Sequence, residues 1–123
     1  MEFRITDQVI IRTHNIRTGY HLHPATLVGD EYVAEWEQYD GPTYCGWDSA
    51  SVPAERVDAL RAQIAEVDAA IEAERVQWEA QHTTTARRRN GNQRVERGSR
   101  TPRFRPSAEL AQQRAALHGW QAL

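Results

Sequence analysis

Apolar side chains fall into three regimes along the 123 residues. The first 50 or so alternate with a period of two, the next 30 with the period of a helical seam, and the following 20 show no period. In the first regime Phe3 and Ile5 alternate with Glu2, Arg4 and Thr6, and Val9-Ile10-Ile11 forms a β-branched run closed by Arg12 and Thr13. His14 to Gly19 reads as a polar loop. Tyr20, Leu22, Thr26 and Val28 share one strand face, and His21, His23, Ala25 and Leu27 share the other. Pro24 has no N–H for a ladder, which predicts an edge or a break there. Gly29-Asp30 suits a two-residue hairpin loop. Tyr32, Ala34 and Trp36 alternate with glutamates and Val33, Asp40-Gly41-Pro42 is a second turn, and Thr43 to Trp47 a last short strand. The expected fold class is α+β, beginning with a small antiparallel β unit over 1–52, an SH3-sized sheet or barrel. A unit of that size is near the lower limit for a stable core and has to lean on a neighbour.

That neighbour is the second regime. Val57, Leu60, Ile64, Val67, Ile71 and Trp78 follow steps of 3, 4, 3, 4 and 7, the spacing of one helical stripe. Between them lie residues with good helix propensity and neither Gly nor Pro. Pro53 suits a first helical turn and Glu55 the positive end of the dipole, so a helix is predicted over 53–82. Thirty residues make a helix about 45 Å long, whereas short strands span about 17–20 Å. The helix must overhang the sheet. Its stripe therefore packs partly at home and partly against a second copy or a protein partner.

Periodicity stops from Thr83 to Arg105. Polar residues, Gly91, Gly98, Pro102 and Pro106 predict an extended or disordered stretch over 83–106. A last short docking helix is expected within 107–123, with Pro106 and Glu109 at its start and Gly119 at its end. Leu110, Leu117 and Trp120 form its narrow apolar stripe. Trp36 and Trp47 are expected in the core of the β unit. Trp78 and Trp120, near helix ends, are read as interface anchors.

Charge changes the picture more than composition does. Residues 1–52 carry eight acidic side chains and three arginines, 53–82 carry seven and three, and 83–123 carry nine arginines against Glu96 and Glu109. The net charge of −2 thus hides an acidic body and a basic tail. All 15 basic residues are arginine, which reads as coding bias rather than chemistry. Apolar residues make up 40% and mean hydropathy is −0.73. No run approaches the roughly 20 residues of a membrane span, and Met1 precedes an amphipathic stretch rather than a signal-peptide core. A soluble, cytoplasmic protein with no membrane partner is expected. One cysteine, Cys45, leaves no intrachain disulfide.

The basic stretch is the strongest functional signal. Arg87, Arg88, Arg89, Arg94, Arg97, Arg100, Arg103 and Arg105 are permanently charged forks that match phosphate geometry, and Phe104 is placed to stack on a base. With no recognition motif in view, contacts to phosphate rather than base edges are expected. An acidic protein, including the body of a neighbouring subunit, is the alternative ligand, and a solvated linker the simplest.

Catalytic and metal signals are weak. His21 and His23 sit about 7 Å apart on one strand face, but a third ligand would have to be His14, Cys45 or a distant carboxylate, so no metal or other cofactor is expected. Nothing pairs Cys45, read as a small buried side chain, with His14 as a nucleophile and base. Glu35, Glu37, Glu72 and Glu79 read as solvated faces, and no phosphate loop or nucleophile elbow appears. The expectation is a non-enzymatic assembly or adaptor protein that associates through its helices and contacts nucleic-acid phosphates through residues 87–105. The alternative is a protein-binding module without nucleic acid, such as a virion accessory subunit or an inhibitor of a host machine.

Overall fold

A computed structural model describes the backbone of residues 1–88 and 103–123, with side chains given for 1–82 and 103–123. The fold is α+β. Strands β1 (Glu2–Ile5), β2 (Val9–Asn15), β3 (Gly19–Val28), β4 (Glu31–Asp40) and β5 (Thr43–Pro53) lead into helix α1 (Ala54–Arg88). Helix α2 (Ala108–His118) and strand β6 (Gln121–Ala122) follow. The sheet is antiparallel and open, in the order β5-β4-β3-β2-β1-β6. No barrel forms, because β5 and the two-residue β6 remain at opposite edges.

Alternation decides which side is buried. The register sets Phe3 opposite Ile11, Ile5 opposite Val9, and Val9 in turn opposite Ala25. Opposed residues share a face. With Ala34 and Val52 these side chains form the core, and Val57 and Leu60 of α1 close it. Ile64 and Leu117 pack against it from the two helices. Among the described residues the core has no buried member beyond Leu60 along α1.

Several boundaries differ from the sequence reading. His14 to Gly19 is not one polar loop: β2 runs on to Asn15, with His14 opposite Tyr20, and Asn15 Oδ1 accepts the Arg17 N–H at 2.8 Å to make the turn. The last strand extends past Trp47 to Pro53, because Ala50 and Val52 continue the inward alternation opposite Ala34 and Tyr32. Pro53 ends that strand and α1 starts one residue later, its Ala54 N–H bonded to Asp30 O at 2.8 Å. Pro24 lies within β3, but β4 pairs with β3 only over Thr26–Val28, so on that side Pro24 faces no ladder. Gly29 and Gly41 hold the positive φ that opens each two-residue hairpin loop.

Of three side chains expected inside, two are exposed and Trp36 packs half-buried against the core. Trp47 is 65% exposed, since it pairs with Glu37 on the outer face of the β4–β5 ribbon. Cys45 is the other exposed one. At the other end of the chain α1 continues to Arg88 rather than stopping at His82, through residues that include neither Gly nor Pro. The extended stretch expected over 83–106 is thus helical in its first six residues, and residues 89–102 lie outside the described ones. Residues 103–107 have no regular structure, and Ser107 caps α2 by accepting the Leu110 N–H.

Candidate nucleic-acid interface

The C-terminal segment runs back along α1. Trp78 and Phe104 have ring centroids 6.0 Å apart, Glu74 accepts the Ser107 N–H at 3.1 Å, and Arg114 reaches Asp68 at 3.2 Å. Further along, the Arg56 guanidinium binds Ala122 O, and β6 joins the sheet beside β1. These contacts pair descending α1 positions with ascending positions of the returning segment. The result is an antiparallel helical hairpin in which the arginine-rich stretch connects the far end of α1 to Arg103. A helix of α1's length spans about 52 Å, so that end stands well away from the acidic sheet.

Of the nine residues expected to contact phosphate, Arg103, Phe104 and Arg105 are described in full. Arg103 and Arg105 are exposed on either side of the half-buried Phe104. Arg87 and Arg88 belong to the last turn of α1, and Arg89, Arg94, Arg97 and Arg100 lie outside the described residues. Electrostatics along α1 favours free cations at this end. Asp68 and Glu74 are taken by Arg114 and the Ser107 N–H, and Arg75 sits between Glu72 and Glu79. The Arg75 bonds hold the Glu72 carboxyl below its ordinary range and raise the guanidinium. Among the described residues no carboxylate pairs with Arg103 or Arg105.

The helix stripe is used first at home. Val57 and Leu60 are in the chain's own core, and Ile64 packs on it. Val67, Ile71 and Trp78 remain half-buried, as does Leu110 of α2. Trp78 stacks on His82 at 3.9 Å. Trp120 docks within the chain, its ring 4.3 Å from the Arg12 guanidinium, whose other neighbours are Tyr20 at 4.1 Å and Glu2 at 2.8 Å.

A second region was not legible as a site in the sequence. Beyond Ile11 and Ala34 the inward face of the sheet turns polar, and a cleft of about 690 Å³ opens between the β2–β3 and β4–β5 hairpins. It is lined by Thr13, His21, His23, Trp36 and Asp48, together with turn residues such as Arg17 and Asp40. His23 stacks on Trp36 at 4.1 Å and bonds the Thr13 hydroxyl at 2.9 Å, while His21 bonds Thr18 Oγ1 at 2.6 Å. Burial, and then the charge of His21, lower the His23 pKa. Both imidazoles are thus engaged by threonines rather than aimed at a common point. Among the described residues no three His, Cys, Asp or Glu side chains are grouped to hold a metal ion. Register parity alone could have grouped Thr13, His21 and His23. Trp36 could not have been joined to them, because β3 and β4 do not pair at that level.

No protein-family model, curated protein or solved structure matches the chain. No helix among the described residues is long and apolar enough to cross a membrane.

Proposed function

We propose that this is a non-enzymatic assembly or adaptor protein that associates through its helical hairpin and contacts nucleic-acid phosphates through residues 87–105. The observation that carries this reading is the antiparallel return of the C-terminal segment along α1. It brings Phe104, between the exposed Arg103 and Arg105, beside Trp78, toward the end of α1 whose last turn holds Arg87 and Arg88. Eight arginines between Arg87 and Arg105 oppose one glutamate, and neutralising phosphates releases counterions whatever the base sequence. Val67, Ile71 and Trp78 stay half-buried beside the returning segment, and the part of each that this segment leaves open is the surface for association. A cytoplasmic location suits the exposed thiol of Cys45.

The test is a salt titration of binding to duplex and single-stranded oligonucleotides. If about five arginines engage duplex phosphates, log affinity falls against log salt with a slope of about −4 to −5. Replacing Arg87, Arg88 and Arg89 by Ala flattens that slope by about 3 and leaves the thermal transition of the sheet in place. Scrambling the base sequence changes little. Absence of binding at low salt, together with tight binding to an acidic protein, would refute the reading in favour of a protein-binding module.

A further inference from the structure

One pocket lies outside both regions already described. It has a volume of about 300 Å³ and is bounded by Arg4 of β1, Pro106, and Ala111, Arg114, Ala115 and His118 of α2. The α2 residues recur at helical spacing, so one face of α2 forms one wall and β1 the other. Three nitrogen-bearing side chains meet here. Arg4 is half-buried, yet it has neither a hydrogen bond nor an ion pair to any described residue, and its Nε is enclosed without a partner. His118 Nε2 is enclosed and unpartnered in the same way. Arg114 spends one N–H on Asp68, and the rest of its fork remains available.

Buried charges are ordinarily paired, and an orphaned buried donor costs the free energy of its lost hydration. Arg4 has no carboxylate to serve that purpose, since Glu2, its neighbour on β1, is committed to Arg12. Its nearest aromatic, Trp120, is 5.9 Å from the guanidinium carbon, a contact that satisfies no N–H. The negative end of α2 is also blunted. Gln121 Nε2 donates to Ala116 O and Gly119 O, which tie up carbonyls that would otherwise oppose an anion.

We propose that this pocket binds a phosphoryl group, with the terminal N–H groups of Arg4 and Arg114 as two forks on its oxygens and the His118 ring as part of its wall. Two guanidinium groups from separate elements match a tetrahedral oxyanion better than any neutral ligand. The pocket is at the small end of the range for ligand sites, enough for a phosphate and part of its attached sugar. The site stands on its own residues. Only its assignment to a polynucleotide rather than to free phosphate rests on the function proposed above.

The test is an NMR titration of the full chain, following the Arg Nε–H and His ring signals. The probes are inorganic phosphate and a 5′-phosphorylated trithymidylate, with chloride at matched ionic strength as control. Saturable shifts confined to Arg4, Arg114 and His118 are expected with phosphate and not with chloride. Arg114→Gln, at an exposed position, and Arg4→Gln each weaken binding by about tenfold, the scale of one charge-assisted hydrogen bond. Tighter binding of the trinucleotide than of phosphate marks a nucleic-acid contact, and equal binding marks a site for free phosphate. Shifts that match those in chloride, or affinity unchanged in both variants, overturn the proposal. The Ala triple variant of Arg87, Arg88 and Arg89 keeps the phosphate response in either case. Loss of oligonucleotide binding in that variant, beside a silent pocket, would therefore sink this inference and leave the proposed function standing.

Discussion

The two ends of α1 are held by different physics. Its first two turns sink Val57 and Leu60 into a sheet whose Phe3, Val9, Ile11 and Val52 are almost wholly removed from water. Among the described residues, the same helix from Val67 onward is covered by the returning segment, and α2 contributes no buried residue. Contacts there are half-buried apolar groups, an exposed ion pair and a backbone N–H on Glu74. Burial scales with apolar area removed from water, so the sheet end carries the stability and the hairpin end is marginal.

Substitutions should separate the two ends. Phe3→Ala empties the centre of the core and is expected to cost about 3–5 kcal/mol. Sheet and helix signals should be lost together in a circular-dichroism melt, with the midpoint far below wild type. Loss of the helix signal alone would mean that the core end is not the cooperative unit.

Ile71→Asp acts only on the hairpin. It should cost about 1–3 kcal/mol locally, read as faster hydrogen exchange over residues 67–82 and 108–118 with Phe3 and Ile11 amides unchanged. It should also lower the mass by light scattering if the hairpin associates. Protection lost equally in both regions would erase the distinction between the ends.

Acid provides a gentler probe of the sheet end. His23 has a lowered pKa in the folded state, so the unfolded chain binds the proton more readily. Stability from the neutral ring is therefore complete above the ordinary histidine value of about 6.5 and is lost as pH falls below it toward the lowered folded value. His23→Gln should remove that component from the pH dependence of the melting temperature, and the wild-type His23 ring signal should titrate below that of an ordinary histidine. A ring that titrates above it would reverse the sign and refute the stacked, desolvated account.

The smallest effect belongs to the ion pair between the helices. Both side chains of Arg114–Asp68 are about half exposed, at 58% and 48%. Asp68→Asn should cost no more than about 0.5–1 kcal/mol and less at high salt, measured by denaturant melts at two ionic strengths. A larger loss would show that polar contacts, not half-buried apolar ones, hold the hairpin closed.

Local rules made much of this molecule legible. Alternation over Phe3–Ile11 and Tyr32–Trp36, the Gly29-Asp30 and Gly41-Pro42 turns, the stripe from Val57 to Trp78 and the short helix after Ser107 all follow from spacing and turn chemistry. These are properties of neighbouring residues, and propensity and parity act over a few positions. The charge division was equally plain, since it needs only counting.

What depended on distant pairings was not legible. Nothing local says that the sheet stays open, that Trp47 points outward while Val52 points inward, or that Trp36 meets His23 across an unpaired gap between strands. Nor does it place Phe104 beside Trp78, or Arg4 across from Arg114 and His118. Each of these joins residues separated by a turn geometry or a long connection, and only the packing of whole elements brings them together. The helix seam shows the division most clearly. Its period determined that one face of α1 would be covered, and the tertiary structure alone decided that the sheet covers its beginning and the chain's own C-terminal segment the rest.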